Sequence, residues 1–223
     1  MHIKFHDKMA KNIIFFCAHN DDSVISAGGT IAKYSKEGYK INVFVFSYGE
    51  LSHPHLKSEV IIKERVKESK KSDEILGCNS VYLGLSEGKF LESKEKLKKK
   101  IKEIIREKTP EKIFTHVPDD PHPDHRTVYS IVTGVYDSLD QKIKEKCGLY
   151  TFAVWNLFNM QKRNAPQLII DTSQTFVAKI KAIKMHKSQR LAVIFLIFSV
   201  YFKAICNGMK NNIAYAEVFY KER

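Results

Sequence analysis

The stretch IIFFCAHNDDSVISAGGTIAKYSKEGYKINVFVF, residues 13–46, decides the fold. Its opening, Ile13 to Ala18, is a continuous apolar run rather than an alternating one, the pattern of a strand buried on both faces of a parallel sheet. Gly28 to Lys36 then reads as helix with Gly38 at its C-terminal end, and Ile41 to Phe46 is a second β-branched and aromatic run. Strand, helix, strand is a βαβ unit, and helices are expected to cover both faces of the sheet.

Outward from this unit the pattern repeats. A helix is expected through Ile61, Ile62, Arg65, Val66 and Ser69 to Leu76 and Gly77, followed by a strand at Val81 to Leu85. An amphipathic helix from Lys94 to Lys108 leads to a strand at Lys112 to Val117, and a helix then carries Val128, Ile131, Val132, Val135 and Leu139 on one face. Strands at Leu149 to Trp155 and Leu168 to Asp171 precede a last third that reads as helical from Thr175. This alternation predicts an α/β, Rossmann-like, mostly parallel sheet with helices on both faces. With no internal repeat and no Pro/Gly/Ser-rich linker, residues 1–223 are expected to form a single domain.

Hydrophobic residues at 43% and charged residues at 28% match ordinary globular proteins and exclude a disordered or fibrous chain. Cys17, Cys78, Cys147 and Cys206 lie far apart with no CxxC pair, which argues against a disulfide framework or zinc finger and for a reducing cytoplasm. The net charge of +12 would suit an anionic partner, but the densest basic run, Lys94 to Lys108, is interleaved with Glu95, Glu103 and Glu107 and reads as a solvated helix face. No nucleic-acid partner is expected. The N-terminus does not read as a signal peptide, because His19 and Asp21 interrupt its apolar run. The segment LAVIFLIFSVYF, Leu191 to Phe202, is twelve residues long, short of the roughly 20 that span a bilayer, so it is expected to be a buried helix, with interfacial anchoring as the lesser reading.

Polar clusters follow two of the strands: His19, Asp21 and Asp22 after the first, His122, Asp124 and His125 after the fourth. In open α/β sheets ligands bind outside the carboxyl ends of strands, so both clusters belong to one crevice. Two imidazoles and one carboxylate make a three-ligand site with an open position for water, the way catalytic zinc is held. Taken singly, each cluster has a plainer explanation, since Asp22 suits a helix N-cap and Pro123 with Asp124 a helix start. Two such clusters at the ends of two strands favour the metal site.

The segments AHNDDSVISAGGTIAKYSKEG, SYGE, RVKESKKSDEILG with YLGL, HPDHR, HKSQ and YAEVF, taken in order, resemble the LmbE/PIG-L family of metal-dependent N-acetylglucosaminyl deacetylases over nearly the whole chain. The resemblance implies one divalent metal, usually zinc, on His19, Asp22 and His125, with Asp21 as general base. Where the family usually has Pro after the first His this chain has Asn20, and Ser23 stands in place of an acidic residue. Arg65 matches an arginine that faces substrate in relatives, against which stands a surface ion pair with Glu68. His186 matches a position at the rim of the site, and His53, with His55, lies in a loop suited to substrate contact.

Chemistry supplies the remaining roles. Amide hydrolysis needs a nucleophile at neutral pH, a donor for the oxyanion and a proton for the departing amine. His122, if protonated, fits the last two, and Asp124 is expected to fix one of the histidines by hydrogen bond. The expected substrate is a small N-acetylated amino sugar or conjugate; a homo-oligomer stays open. Two competing readings are an Fe(II) enzyme on the same two-His-one-Asp set and a basic binding module without catalysis.

Overall fold

The computed structural model describes residues 11–50, 57–155 and 164–223. Within them seven strands, β1 (Asn12–Cys17), β2 (Lys40–Ser47), β3 (Asn79–Leu85), β4 (Lys112–His116), β5 (Gly148–Phe152), β6 (Gln167–Asp171) and β7 (Ala216–Lys221), form one sheet in the order β3-β2-β1-β4-β5-β7-β6. The first five are mutually parallel, and β7 runs antiparallel to both β5 and β6. Seven helices accompany them: α1 (Asp22–Lys36), α2 (Ser58–Leu76), α3 (Lys94–Lys108), α4 (Pro123–Asp137), the short α5 (Gln141–Lys144), α6 (Phe176–Ile183) and α7 (Arg190–Lys210). The expected Rossmann-like sheet is what the chain forms.

β1 is the hinge of the architecture because it is central and its side chains alternate between two cores. Ile13, Phe15 and Cys17 pack with α1, α6 and α7 on one face, whereas Ile14, Phe16 and Ala18 pack with α3 and α4 on the other. The rings of Phe15 and Phe114 stack at 4.6 Å across the β1–β4 pairing. Both faces being buried is why the run is continuously apolar. At the far end of α2, Gly77 adopts φ 72°, the left-handed stop that a side chain would resist.

Three departures from the sequence reading have physical causes. Helix α1 begins at Asp22, earlier than the expected Gly28, and α4 begins at Pro123, the helix start its sequence suggests, so both polar clusters sit at helix starts. β7 lies where the sequence reads as helix to the end, because Glu217 interrupts its apolar pattern. That carboxylate is buried yet compensated: it lies 2.6 Å from Lys179 Nζ and accepts the amides of Gly29 at 3.0 Å and Thr30 at 2.7 Å.

The third concerns the segment expected to be a buried helix too short to span. α7 is 21 residues long, and its Val193–Lys210 part is long and apolar enough to cross a membrane by length and composition alone. Only 33% of that part is buried. Leu196, Val200 and Ala204 enter the core, while Phe195, Phe198 and Phe202 face outward.

Candidate functional site

β1 and β4 are neighbours and parallel, so their C-terminal ends deliver the two polar clusters to one place. The chain leaves β1 through His19 and Asn20 and turns into α1 at the N-cap, Asp21, whose side chain makes no capping hydrogen bond. Asp22, the first helical residue, accepts the His19 amide on Oδ2 at 2.8 Å, which tightens the turn and aims its other oxygen inward. The chain leaves β4 through His116 and enters α4 at Pro123, with His122 as N-cap. The helix-start reading of both motifs therefore holds together with the clustering.

Three donor residues, His19, Asp22 and His125, converge there, each able to offer one ligand atom within 4.8 Å of the others. His125 Nε2 lies 3.4 Å from His19 Nδ1 and 3.3 Å from Asp22 Oδ1, with His19 Nδ1 3.8 Å from Asp22 Oδ2. Ligands at about 2.0–2.1 Å from a tetrahedral zinc stand about 3.3 Å apart, so this donor set fits one ion. All three residues are buried. Two further groups, His19–Glu87–His122 and His116–Asp120–His125, also bring ligand-type atoms within 4.8 Å. They draw on histidines whose other nitrogens face carboxylates: His19 Nε2 lies 3.4 Å from Asp124 Oδ2, and His125 Nδ1 lies 2.9 Å from Asp120 Oδ1. A 2.9 Å contact is the length of a charge-assisted hydrogen bond, shorter than the spacing of two ligands. Each imidazole of the first set thus has a carboxylate beside its other nitrogen, the placement that in metal sites biases tautomer and ring orientation.

The electrostatics follow from this packing. Burial alone would lower the His125 pKa, but Asp22 and Asp120 beside it carry it up to about 10. Burial likewise opposes the charge on His19, yet Asp124 and Asp22 raise its pKa. Asp22 is held well below the usual carboxylate range: burial works against it, and the His125 and His116 rings outweigh burial. His116 goes the other way, to about 4, through burial and the nearby His125 charge. Its Nε2 accepts the Ala18 amide at 3.0 Å, tying the ends of β1 and β4 together.

Asp124 answers the question the sequence left open by facing His19. His122 differs from expectation. Its Nδ1 accepts the Asp124 amide at 3.2 Å, and burial together with His125 and His19 lowers its pKa, so the ring is neutral with its proton on Nε2. Asp21 is buried, and its charge acts on His19 and on His186. An open cleft lined by Glu87, Phe90, Leu91, His122 and Asp124 adjoins them.

Arg65 and Glu68 are both buried, so neither belongs to the surface. Arg65 Nη1 donates to the Tyr48 carbonyl at 3.1 Å beneath Gly49, where a Cβ would collide with the guanidinium, and Glu68 accepts the amide and hydroxyl of Ser188 at 2.7 and 2.6 Å. Asn20 links this wall to His186: its Nδ2 donates to the Arg65 carbonyl at 3.4 Å and lies 3.4 Å from His186 Nδ1. His53 and His55 lie outside the described residues. His116, Asp120 and Glu87 escaped the sequence reading, although each follows or ends a strand at the same edge.

The chain's residues 14–136 match the model of a family described as PIG-L, GlcNAc-PI de-N-acetylase. Over 198 residues the chain is 25% identical to the probable N-acetyl-alpha-D-glucosaminyl L-malate deacetylase 2 of Bacillus cereus, covering 83% of this chain and 87% of that protein. The N,N'-diacetylchitobiose deacetylase of Pyrococcus horikoshii superposes with a TM-score of 0.76 at 24% identity, over 96% of this chain and 84% of the other. The 4-carboxy-2-hydroxymuconate hydratase GalB of Pseudomonas putida KT2440 superposes with a TM-score of 0.80 at 20% identity, over 96% of each chain. Both superpositions report a shared fold.

Proposed function

Because this chain belongs to the PIG-L family of de-N-acetylases, whose model covers more than half of it, we propose that it is a zinc-dependent hydrolase removing an N-acetyl or related acyl group from a small amino sugar or its conjugate. The observation that carries the reading is the convergence of His19, Asp22 and His125, with His125 Nε2 3.4 Å from His19 Nδ1 and 3.3 Å from Asp22 Oδ1, near the spacing of two ligands on one zinc. His19, Asp22 and His125 would hold the ion, which when bound would supply a water acidified to a pKa of about 7 and polarise the acyl carbonyl.

The other residues act through protons and position. Asp21, whose carboxylate is not spent on capping α1, takes the proton from the attacking water and returns it to the departing amine nitrogen, so the proton count balances as the C–N bond breaks. His122, neutral with its proton on Nε2, donates to the carbonyl oxygen as it becomes an oxyanion. Asp120 and Asp124 hold the far nitrogens of His125 and His19, keeping the lone pairs of Nε2 and Nδ1 aimed at the ion. Arg65 and His186, both buried, shape the wall behind Asn20 and so act on substrate through position. The unpaired cysteines fit a reducing cytoplasm.

A hydratase on the same fold favours one alternative, addition of water to an unsaturated acid. Detection of free primary amine and free acetate from a panel of N-acetylated amino sugars separates the two, since only the hydrolase releases both.

A further inference from the structure

Among the described residues α7 presents an uncovered apolar stripe that the proposed chemistry does not use. Ile194, Phe195, Phe198, Tyr201, Phe202 and Met209 recur at helical spacing on its outer face, with Phe195 75% and Phe198 72% exposed. Folded monomers rarely leave such a patch bare unless it meets another surface. The opposite face is not available for that purpose: Leu196, Val200 and Ala204 are built into the core against α1 and the sheet. The helix can therefore lie on a bilayer but cannot leave the fold to cross one.

Charge says what covers the stripe. From Thr172 to Ala216 the chain has seven Lys and Arg residues and no Asp or Glu. Lys181, Lys184, Lys187, Arg190 and Lys210 among them are exposed. On α6, Val177, Lys181 and Lys184 form one outward stripe, and α6 meets α7 where the rings of Phe176 and Tyr201 pack edge to face at 5.1 Å. Exposed aromatics on a segment that carries cations and no carboxylate are the makeup of a helix that rests at the interface of an anionic bilayer. A second copy of the chain docked on the same face by two-fold symmetry would bring these cations against each other.

We propose that the α6–α7 face is a peripheral membrane-docking surface, with Phe195, Phe198 and Phe202 entering the headgroup and acyl boundary and the flanking lysines meeting anionic lipid. α7 follows directly on the turn Lys187–Gln189, next to His186 at the wall of the candidate site, so docking would hold that site close to the bilayer.

The test is co-sedimentation of the full chain with vesicles of phosphatidylcholine alone and of phosphatidylcholine with phosphatidylglycerol, beside the triple variant F195S/F198S/F202S, whose fold is checked by its melting temperature. The wild type should bind the anionic vesicles roughly tenfold or more tightly than the neutral ones, in a salt-sensitive way, and the triple variant should lose that binding while melting as the wild type does. Absence of wild-type binding to anionic vesicles, or equal binding by the triple variant, overturns the proposal. So does an oligomer in analytical ultracentrifugation that the triple variant converts to monomer without any vesicle binding by the wild type, for the face would then join copies of the chain.

Discussion

His19 Nδ1 and His125 Nε2 stand 3.4 Å apart, one delivered by the end of β1 and the other by the start of α4. Two unprotonated imidazole nitrogens at that distance repel unless a proton or a cation lies between them, and the Asp22 oxygen 3.3 Å from His125 Nε2 completes a pocket for the cation.

His19→Ala, Asp22→Ala and His125→Ala should each lower bound zinc strongly, since three protein ligands leave no redundancy. Elemental analysis of the purified variants checks this. Stoichiometric zinc in all three would place the ion elsewhere.

Asp21→Asn should bind zinc as the wild type does and lose about 10²- to 10⁴-fold in kcat, the usual contribution of a general base. A kcat within a few-fold of wild type would move that role to another residue.

Asp120→Asn should weaken zinc binding by roughly 10- to 100-fold without removing a ligand, because it loosens the ring that supplies Nε2. Zinc competition with a fluorescent chelator reads the affinity directly, and an unchanged value would make Asp120 a bystander.

In the metal-free chain the His125 pKa stands at about 10, above its ordinary value near 6.5. The stabilisation this lends the metal-free fold is complete below pH 6.5 and is lost as pH rises through about 10. Zinc needs the neutral ring, so its binding near pH 7.5 should expel a proton that burial and two carboxylates otherwise retain, and zinc affinity should rise with pH. Titration calorimetry in buffers of different ionisation enthalpy counts that proton; a buffer-independent heat would contradict the assignment.

Lys179→Met should cost the fold about 3 kcal/mol or more, because it strands the buried Glu217 carboxylate that also holds the Gly29 and Thr30 amides. Chemical denaturation measures it, and a loss below about 1 kcal/mol would mean the two amides alone satisfy Glu217.

The parts of this molecule that are legible in its sequence are those where a local pattern ends abruptly. The apolar run of β1 stops at His19, and β4 gives way to Pro123 and His125, so the strand ends and the polar clusters beyond them can be read together. His116 and Glu87 are lone polar residues and Asp120 is one of an Asp pair that reads as a turn, and their meaning appears only once the strands they follow or end lie side by side. β7 was hidden by a charge whose partners, Lys179 and the amides of α1, are far away in the chain. α7 reads as buried because apolar residues surround it in sequence, whereas exposure depends on which neighbours the fold supplies.

The most direct measurement is the release of primary amine and acetate in equal amounts from N-acetylated amino sugars by the zinc-loaded chain, before and after treatment with a chelator. The account predicts release from at least one such sugar, loss on chelation, and recovery when zinc is returned. Failure of the zinc-loaded chain to release amine from any member of the panel, or release that persists undiminished in the metal-free chain, would contradict it.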